Sequence, residues 1–169
     1  MERHYYIHYT QVFGVVAAII EEDGKFLLVK ENMPGRPDHG KWNHPAGKID
    51  LGEDAIIAMK RETKEETGYD FEPTALLGVY VLVKENLKGF SDDGGYPHCV
   101  KLVYTGKISG SEKLSAEISE IGWFTVPEII VFKRQGILRD DDILAMAEQC
   151  LYGKRYPLDI VAHTVQKNS

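Results

Sequence analysis

The fold of this chain is decided by one stretch, residues 47–69, which reads GKIDLGEDAIIAMKRETKEETGY. A turn-like beginning leads into an unbroken run of good helix formers from Asp54 to Glu66, and Gly68 follows the run. Acidic residues stabilise the first turn of a helix, and glycine is the preferred left-handed residue at its end. The stretch therefore predicts a helix over 54–66 that glycine terminates.

One face of this predicted helix begins apolar and ends acidic. Ala55, Ala58 and Met59 share a stripe of the kind that packs against a core. The stripe continues into three carboxylates, which are Glu62, Glu65 and Glu66. Like charges at this spacing repel one another. Hard divalent cations such as Mg²⁺ or Mn²⁺ bind sites made of oxygen ligands, so one of them would neutralise this cluster.

A salt-bridged helix without a ligand is the alternative interpretation. The same helix carries positive partners for its acids, which are Lys60, Arg61 and Lys64. Charged helix faces of this kind are common on protein surfaces. Within the stretch, Glu53 is the natural partner of Arg61. The charges of the helix alone leave both interpretations open.

The spacing of the stretch resembles the Nudix box, the signature of the Nudix (MutT-like) hydrolase superfamily. That box runs Gly, five residues, Glu, seven residues, Arg-Glu, an apolar residue, any residue, Glu-Glu, any residue, Gly and an apolar residue. Eight positions of this chain match at the fixed spacing: Gly47, Glu53, Arg61, Glu62, Glu65, Glu66, Gly68 and Tyr69. Thr63 replaces the first apolar residue, and we interpret it as tolerated packing because threonine is small and β-branched.

This resemblance implies a fold and a reaction. We expect an α/β protein with the Nudix fold, a mixed β-sheet sandwiched between helices (α/β/α), in a single domain over residues 1–169. The box at residues 47–69 is its loop–helix–loop. The reaction implied is hydrolysis of a phosphoanhydride bond with Mg²⁺ or Mn²⁺ as cofactor. A Nudix domain that only senses a ligand is the alternative, and the intact box carboxylates argue against it.

The resemblance also implies roles for individual residues. The implied metal ligands are Glu62, Glu65 and Glu66, the backbone carbonyl of Ala46 and, from outside the box, Glu117 with Glu120 as its rival. The implied catalytic residues are Glu65 or Glu66 as the acceptor of a water proton, with Glu53 and Arg61 as the pair that orients the ligand helix. Which carboxylate is the base stays open at this point.

Residues 41–47, KWNHPAG, resemble the Trp-x-x-Pro-Gly-Gly segment that precedes the Nudix box. Ala46 replaces the first glycine, and its carbonyl can serve equally well if the backbone needs no positive φ there. Trp42 is a candidate to stack on a substrate base, although a buried tryptophan that braces the segment fits at least as well. Asn43 is a second candidate for substrate binding.

Two more residues near this segment are candidates for substrate contacts. Arg36 lies in a loop rich in proline and glycine, where it either reaches a phosphate or is simply solvated. His44 is a poor ligand for a hard cation, so it either orients the substrate or packs beside Pro45. The sequence does not decide between these alternatives.

Two stretches narrow the resemblance to the NudJ-type Nudix phosphatases. These proteins carry a Trp-Asn-x-Pro-Ala-Gly segment, which residues 42–47 match. They also end in a pattern similar to residues 152–160, YGKRYPLDI, which follow Leu138-Arg139 and a predicted helix. The group hydrolyses nucleoside di- and triphosphates and a pyrimidine pyrophosphate related to thiamine synthesis. The resemblance implies a substrate of that class, with ADP-ribose or a dinucleoside polyphosphate as the alternative.

The composition limits the partners of the protein. Its 169 residues carry a net charge of -6, which disfavours a nucleic-acid polymer as partner. The apolar run at 12–20 is about half the length of a membrane span, and the N-terminus lacks the plan of a signal peptide. We therefore expect a cytoplasmic protein with no membrane partner and a small-molecule nucleotide or pyrophosphate as substrate. A monomer and a homodimer both fit the sequence.

Residue patterns predict the remaining elements. Strands are expected over 12–20, 25–30, 75–84, 98–108 and 121–125, with a hairpin turn at 21–24. Helices are expected to begin at 126 and to span 140–152. The segments 85–96 and 109–119 are predicted as loops. The N-terminal histidines and tyrosines either stack on a substrate ring or form an edge or dimer contact.

Overall fold

The computed structural model describes residues 12–83 and 98–166. Its strands are β1 (Phe13–Glu22), β2 (Lys25–Glu31), β3 (Trp42–Asn43), β4 (Ala46–Lys48), β5 (Tyr69–Val83), β6 (His98–Gly110) and β7 (Ile118–Thr125). Its helices are α1 (Ala55–Thr67), α2 (Val126–Gln135), α3 (Asp142–Tyr152) and a short 3-10 helix, Leu158–Ile160. The predictions for the N-terminal aromatic residues and for the loop 85–96 lie outside the described residues.

The strands form one mixed sheet with helices on both faces. The order is β3-β2-β1-β6-β5, while β4 pairs with β1 and β7 pairs with β2. Strands β1 and β6 run parallel, and β1 and β2 form an antiparallel hairpin. Successive side chains of β1 alternate between two cores, since Ile19 packs with α2 and α3 whereas Ile20 packs with α1. The expected α/β architecture is confirmed.

The hairpin between β1 and β2 sets these two central strands side by side. Its turn places Asp23 at φ 50° and Gly24 at φ 76°. Two successive left-handed residues make a turn whose twist matches that of the flanking strands, which is why Asp-Gly predicts this hairpin. The predicted turn at 21–24 is therefore confirmed.

Helix α1 begins and ends where its capping residues predict. The Asp54 carboxylate accepts the backbone N–H groups of Ile56 and Ile57 at 2.8 and 3.1 Å. Gly68 ends the helix at φ 80°, a left-handed conformation that side-chain-bearing residues rarely adopt. These two caps fix which helix face meets the sheet.

The packing of α1 follows its apolar stripe. Ala55, Ala58 and Met59 are all buried in the core beneath the helix. Thr63 is also fully buried, and its hydroxyl donates to the Met59 carbonyl at 2.9 Å. A buried hydroxyl is tolerated when it finds such a partner. The departure from the box at Thr63 is therefore accommodated within the helix itself.

Two predicted boundaries were wrong. Strand β5 begins at Tyr69, directly after the helix cap, and not at residue 75. The predicted polar loop 109–119 is shorter, because β6 continues to Gly110 and β7 begins at Ile118. Residues 69–73 pair with residues 106–110 across the sheet, and this pairing overrides local composition.

No helix of the described residues is long and apolar enough to cross a membrane.

Candidate active site

A polar chamber of about 330 Å³ lies where the second half of α1 faces β4. Five acids line it: Glu31, Asp50, Glu62, Glu66 and Glu117. Three cationic side chains line it as well: Arg36, Lys48 and Arg139. The volume lies within the range of small-molecule sites. The chamber brings two of the predicted box ligands together with two predicted residues from outside the box.

The close contact between β4 and α1 depends on Gly47. A Cβ atom at this position would lie 1.9 Å from the carboxylate carbon of Glu62. The absence of a side chain therefore lets the helix and the strand approach until the Glu62 carboxylate lies against the backbone of β4. This explains in physical terms why a glycine opens the motif.

Arg61 is the central cation of the helix. Its Nε and Nη2 atoms donate to the two oxygens of Glu53, each at 2.9 Å. Its Nη1 atom donates to Glu62 at 2.8 Å and to Glu65 at 3.2 Å, and Nη2 also reaches the Lys48 carbonyl at 3.0 Å. The expected pair with Glu53 is present, and the same guanidinium restrains two of the three box acids.

The pair between Glu53 and Arg61 is electrostatically strong. Its hydrogen bonds to Arg61 lower the pKa of Glu53 from 4.5 to about 2. The same bonds raise the pKa of Arg61. The second oxygen of Glu53 also accepts the backbone N–H of Asp50 at 3.0 Å. Glu53 therefore ties the turn before the helix to the middle of the helix.

The two chamber acids of the helix are held in a costly environment. Burial raises the pKa of Glu62, although Arg61 opposes this effect. Burial, and then the negative charge of Glu31, raise the pKa of Glu66 well above its ordinary value. One Glu66 oxygen accepts the backbone N–H of Ala46 at 3.1 Å. Buried carboxylates that face each other favour either a proton or a bound cation.

The ligand chemistry of the chamber fits Mg²⁺ or Mn²⁺, because carboxylates and backbone carbonyls are the donors these ions prefer. Ala46 has no positive φ, so its carbonyl needs no glycine at this position. Across residues 12–83 and 98–166, however, no three acids converge as a preformed metal cluster. Arg61 holds one oxygen each of Glu62 and Glu65. Because Arg61 binds only one oxygen of each carboxylate, both side chains keep a second oxygen for a cation.

The structure distinguishes the two rival acids outside the box. Glu117 precedes β7 and lines the chamber with an exposed side chain. Glu120 instead forms an ion pair with Lys30 at 3.3 Å. Arg36 also lines the chamber from the loop after β2. The geometry therefore places Glu117 and Arg36 with the box acids, and it does not place Glu120 there.

Trp42 does not face the chamber. It is 5% exposed and lies in the core on the side of α2. Its ring stacks on Phe132 with centroids 6.0 Å apart and meets the edge of Phe124 at 4.7 Å. The Lys30 Nζ atom also lies over the ring, 5.4 Å from its centroid. Trp42 is thus enclosed by protein, so the bracing alternative describes it and the base-stacking expectation is corrected.

Asn43 and His44 are buried beside the chamber. The Asn43 side-chain amide donates to Glu31 at 3.0 Å, so it supports an acid of the site instead of opening on the chamber. Both ring nitrogens of His44 are buried and unpaired within the described part of the chain. Burial lowers the pKa of His44 well below its ordinary value, which keeps the imidazole neutral. The packing alternative describes His44.

Sequence reasoning missed Glu31 and Arg139 as residues of the site. Arg139 donates to Glu31 at 2.7 Å and to Asp38 at 3.2 Å. A sequence signal exists for Glu31, because it continues the alternating buried row of Leu27 and Val29 in β2. An acid at a core-facing strand position needs a partner or a function. Arg139 comes from the segment after α2; the NudJ-type resemblance includes Leu138-Arg139 but gives Arg139 no role in the site.

Comparison with known proteins identifies the family of the chain. A model of the NUDIX domain family matches residues 10–146. The chain belongs to the Nudix family. The family and the similarity to Nudix hydrolases show a hydrolase that acts on pyrophosphate bonds.

Several Nudix proteins are similar over most of their length. A MutT-like protein of Streptomyces ambofaciens is 34% identical over 124 residues, which are 73% of this chain and 68% of that protein. Phosphatase NudJ of Escherichia coli K12 is 25% identical over 147 residues, 86% of this chain and 88% of its own. A NUDIX hydrolase structure from Nitrosomonas europaea, 34% identical, superimposes with a TM-score of 0.77 over 91% of this chain and 98% of its own.

Proposed function

We propose that this Nudix hydrolase cleaves a phosphoanhydride bond in a small-molecule pyrophosphate with the help of Mg²⁺ or Mn²⁺. The substrate class is a nucleoside di- or triphosphate or a thiamine-related pyrophosphate. The observation that carries the proposal is the acid-lined chamber against the Gly47 backbone, where Glu62 and Glu66 face acids from outside the box. The similarity to phosphatase NudJ, at 25% identity, supports the choice of substrate class.

The charge of the chamber explains the need for a cation. A pyrophosphate is a polyanion, and the lining acids repel it. A divalent cation held by the chamber acids would screen this charge, stabilise the leaving phosphate and make a bound water more acidic. Arg36, Lys48 and Arg139 supply the positive charge that the chain itself offers along the chamber.

The residues of the chain then take separate roles. Glu62, Glu65, Glu66 and the Ala46 carbonyl are the proposed ligands, with Glu117 from outside the box. Glu66 is the better candidate than Glu65 to accept a proton, because it lies in the chamber while Glu65 is largely exposed beside Arg61. Glu53 acts through Arg61, which it holds in a fixed orientation.

The decisive experiment is phosphate release from a panel of compounds under identical Mg²⁺. The panel contains nucleoside di- and triphosphates, thiamine pyrophosphate, ADP-ribose and diadenosine polyphosphates. We expect the best kcat/KM among the first two classes and no turnover with EDTA. A tenfold preference for ADP-ribose or a diadenosine compound, about 1.4 kcal/mol in transition-state binding, would overturn the substrate class but not the hydrolase family.

A Glu66→Gln variant tests the ligand set in the same assay. The substitution keeps the size of the side chain and removes its charge. We expect turnover to fall by at least about a hundredfold, within the range for loss of a single catalytic group. Turnover near that of the wild type at saturating Mg²⁺ would exclude Glu66 from the cation site.

A further inference from the structure

Glu31 occupies a position that an apolar residue would normally fill. Leu27 and Val29 precede it in β2, and both belong to the core beneath α1. Side chains two residues apart in a strand share a face, so Glu31 continues this row towards the helix. Glu31 is 2% exposed, and its carboxylate lines the chamber. The core-facing row of β2 thus ends in an acid beside the box.

The two oxygens of this carboxylate have different surroundings. Oε1 accepts both the Asn43 amide at 3.0 Å and the Arg139 guanidinium at 2.7 Å. Oε2 accepts no hydrogen bond from the described residues. It is also absent from their fully buried unpaired side-chain atoms, so it is not sealed inside the protein. Two donors on one oxygen fix the carboxylate plane and leave the second oxygen directed at the chamber.

The cation that pairs with Glu31 does not neutralise all of the negative charge around it. Arg139 serves two acids, because its Nε atom also binds Asp38 at 3.2 Å. One guanidinium against two carboxylates leaves a net charge of about -1 by simple counting. The excess lies at the chamber, which Glu66 also lines. A buried and a half-buried carboxylate that line one chamber destabilise each other unless positive charge lies between them.

We propose that Glu31 is a ligand of the catalytic cation through its Oε2 atom, supplied from outside the box. This inference rests on the cation dependence of the proposed function. Asn43 and Arg139 hold Oε1 of the same carboxylate and in this way position Oε2. Asp38 in turn holds Arg139 from the side away from the chamber.

The test compares Glu31→Gln with Asp38→Asn. Each variant removes one acid partner of Arg139 and leaves the other, so neither leaves an unpaired guanidinium. Only Glu31→Gln removes a carboxylate from the chamber, since Asp38 does not line it. Binding of Mn²⁺ to each protein is measured without substrate by electron paramagnetic resonance, and folding is checked by thermal melting.

The expected result separates the two variants. Glu31→Gln should weaken Mn²⁺ binding by at least tenfold, about 1.4 kcal/mol, while Asp38→Asn stays within about threefold of the wild type. Equal losses in both variants would show that Glu31 acts only through Arg139, and that would overturn the proposal. Unchanged affinity in both variants, or no Mn²⁺ binding by the wild type, would overturn it too.

Glu31→Asp keeps the test decisive if the glutamine variant does not fold. It retains the charge for Arg139 but withdraws the carboxylate by one methylene, so we expect Mn²⁺ affinity between those of the wild type and Glu31→Gln. Wild-type affinity in Glu31→Asp would count against the ligand. Because no substrate enters these titrations, failure of the proposed hydrolysis leaves their outcome readable, and the two hypotheses fail separately.

Discussion

At the scale of single residues, Arg61 controls how the helix acids are held. It is bound by Glu53 from one side and reaches Glu62 and Glu65 on the other. A guanidinium can satisfy several carboxylates at once because its donors form a rigid fork. Arg61 therefore restrains one oxygen each of Glu62 and Glu65, and Glu53 determines where the guanidinium stands.

A Glu53→Gln variant should show whether Glu53 orients Arg61 or binds the cation. Glutamine keeps the shape but weakens the two charge-assisted bonds to Arg61. We expect kcat to fall by about tenfold or more while the affinity for Mn²⁺ changes less than about threefold. Steady-state kinetics and a Mn²⁺ titration on the same preparation measure both quantities. A loss of metal affinity as large as the loss of kcat would instead make Glu53 a ligand.

Glu53 should also make the stability of the fold depend on pH. The folded pKa of Glu53 lies at about 2, below its ordinary 4.5. A depressed carboxylate pKa stabilises the fold above the ordinary value and loses that contribution as the pH falls towards the folded value. The difference in free energy of unfolding between the wild type and Glu53→Gln should therefore be constant above about pH 5 and shrink between pH 4.5 and 2. Urea unfolding across this range measures it, and a difference that stays constant would refute the assignment.

Residue-level prediction from the sequence succeeded where the motif has a fixed local spacing. Glu53 and Arg61 are eight positions apart and meet as the spacing implies. The sequence left the environment of Trp42 open between base stacking and bracing the core, because its surroundings depend on which face of the sheet receives Phe124 and Phe132. The contact between Glu31 and Arg139 spans 108 positions, so no local pattern could indicate it.

At the scale of elements, the site is made by the contact between β4 and α1. Strand β4 pairs with β1, which sets its position, and Gly47 lets the helix approach it. Caps and periodicity predicted the limits of α1, because both are local signals. The limits of β5 and β7 were not predicted, since pairing between distant strands decides them.

Gly47→Ala should damage the site more than the fold. Its Cβ would meet the end of the flexible Glu62 side chain, which can rotate away at small cost, but the carboxylate then leaves the chamber. We expect kcat/KM to fall at least tenfold with a melting temperature within about 3 °C of the wild type, a shift of roughly 1 kcal/mol or less. Gly14→Ala is the matched control, because its Cβ would only contact Ile49 at 3.4 Å. Equal kcat/KM in the two variants would show that the close approach at Gly47 is not needed.

At the scale of the whole molecule, the chamber links cation binding to the stability of the fold. Helix α1 packs on one face of the sheet, and β2 contributes side chains to the cores on both faces. Repulsion between Glu31 and Glu66 therefore acts between the sheet and the helix that packs on it. The raised pKa of Glu66 means that its ionisation costs stability at neutral pH. A ligand that binds only the folded state removes this cost by mass action.

Mg²⁺ should therefore raise the melting temperature of the wild type. At a free concentration a hundred times its dissociation constant, one cation adds about 2.7 kcal/mol to the free energy of unfolding. Glu66→Gln should melt higher than the wild type without metal, because it lacks the buried charge, and it should gain much less from Mg²⁺. Calorimetry with NaCl at matched ionic strength separates this effect from general screening, which acts on both proteins alike. The opposite order, with metal-free Glu66→Gln less stable than the wild type, would mean that the Glu66 carboxylate stabilises the fold by itself, and the coupling between cation and fold would have to be assigned to other residues.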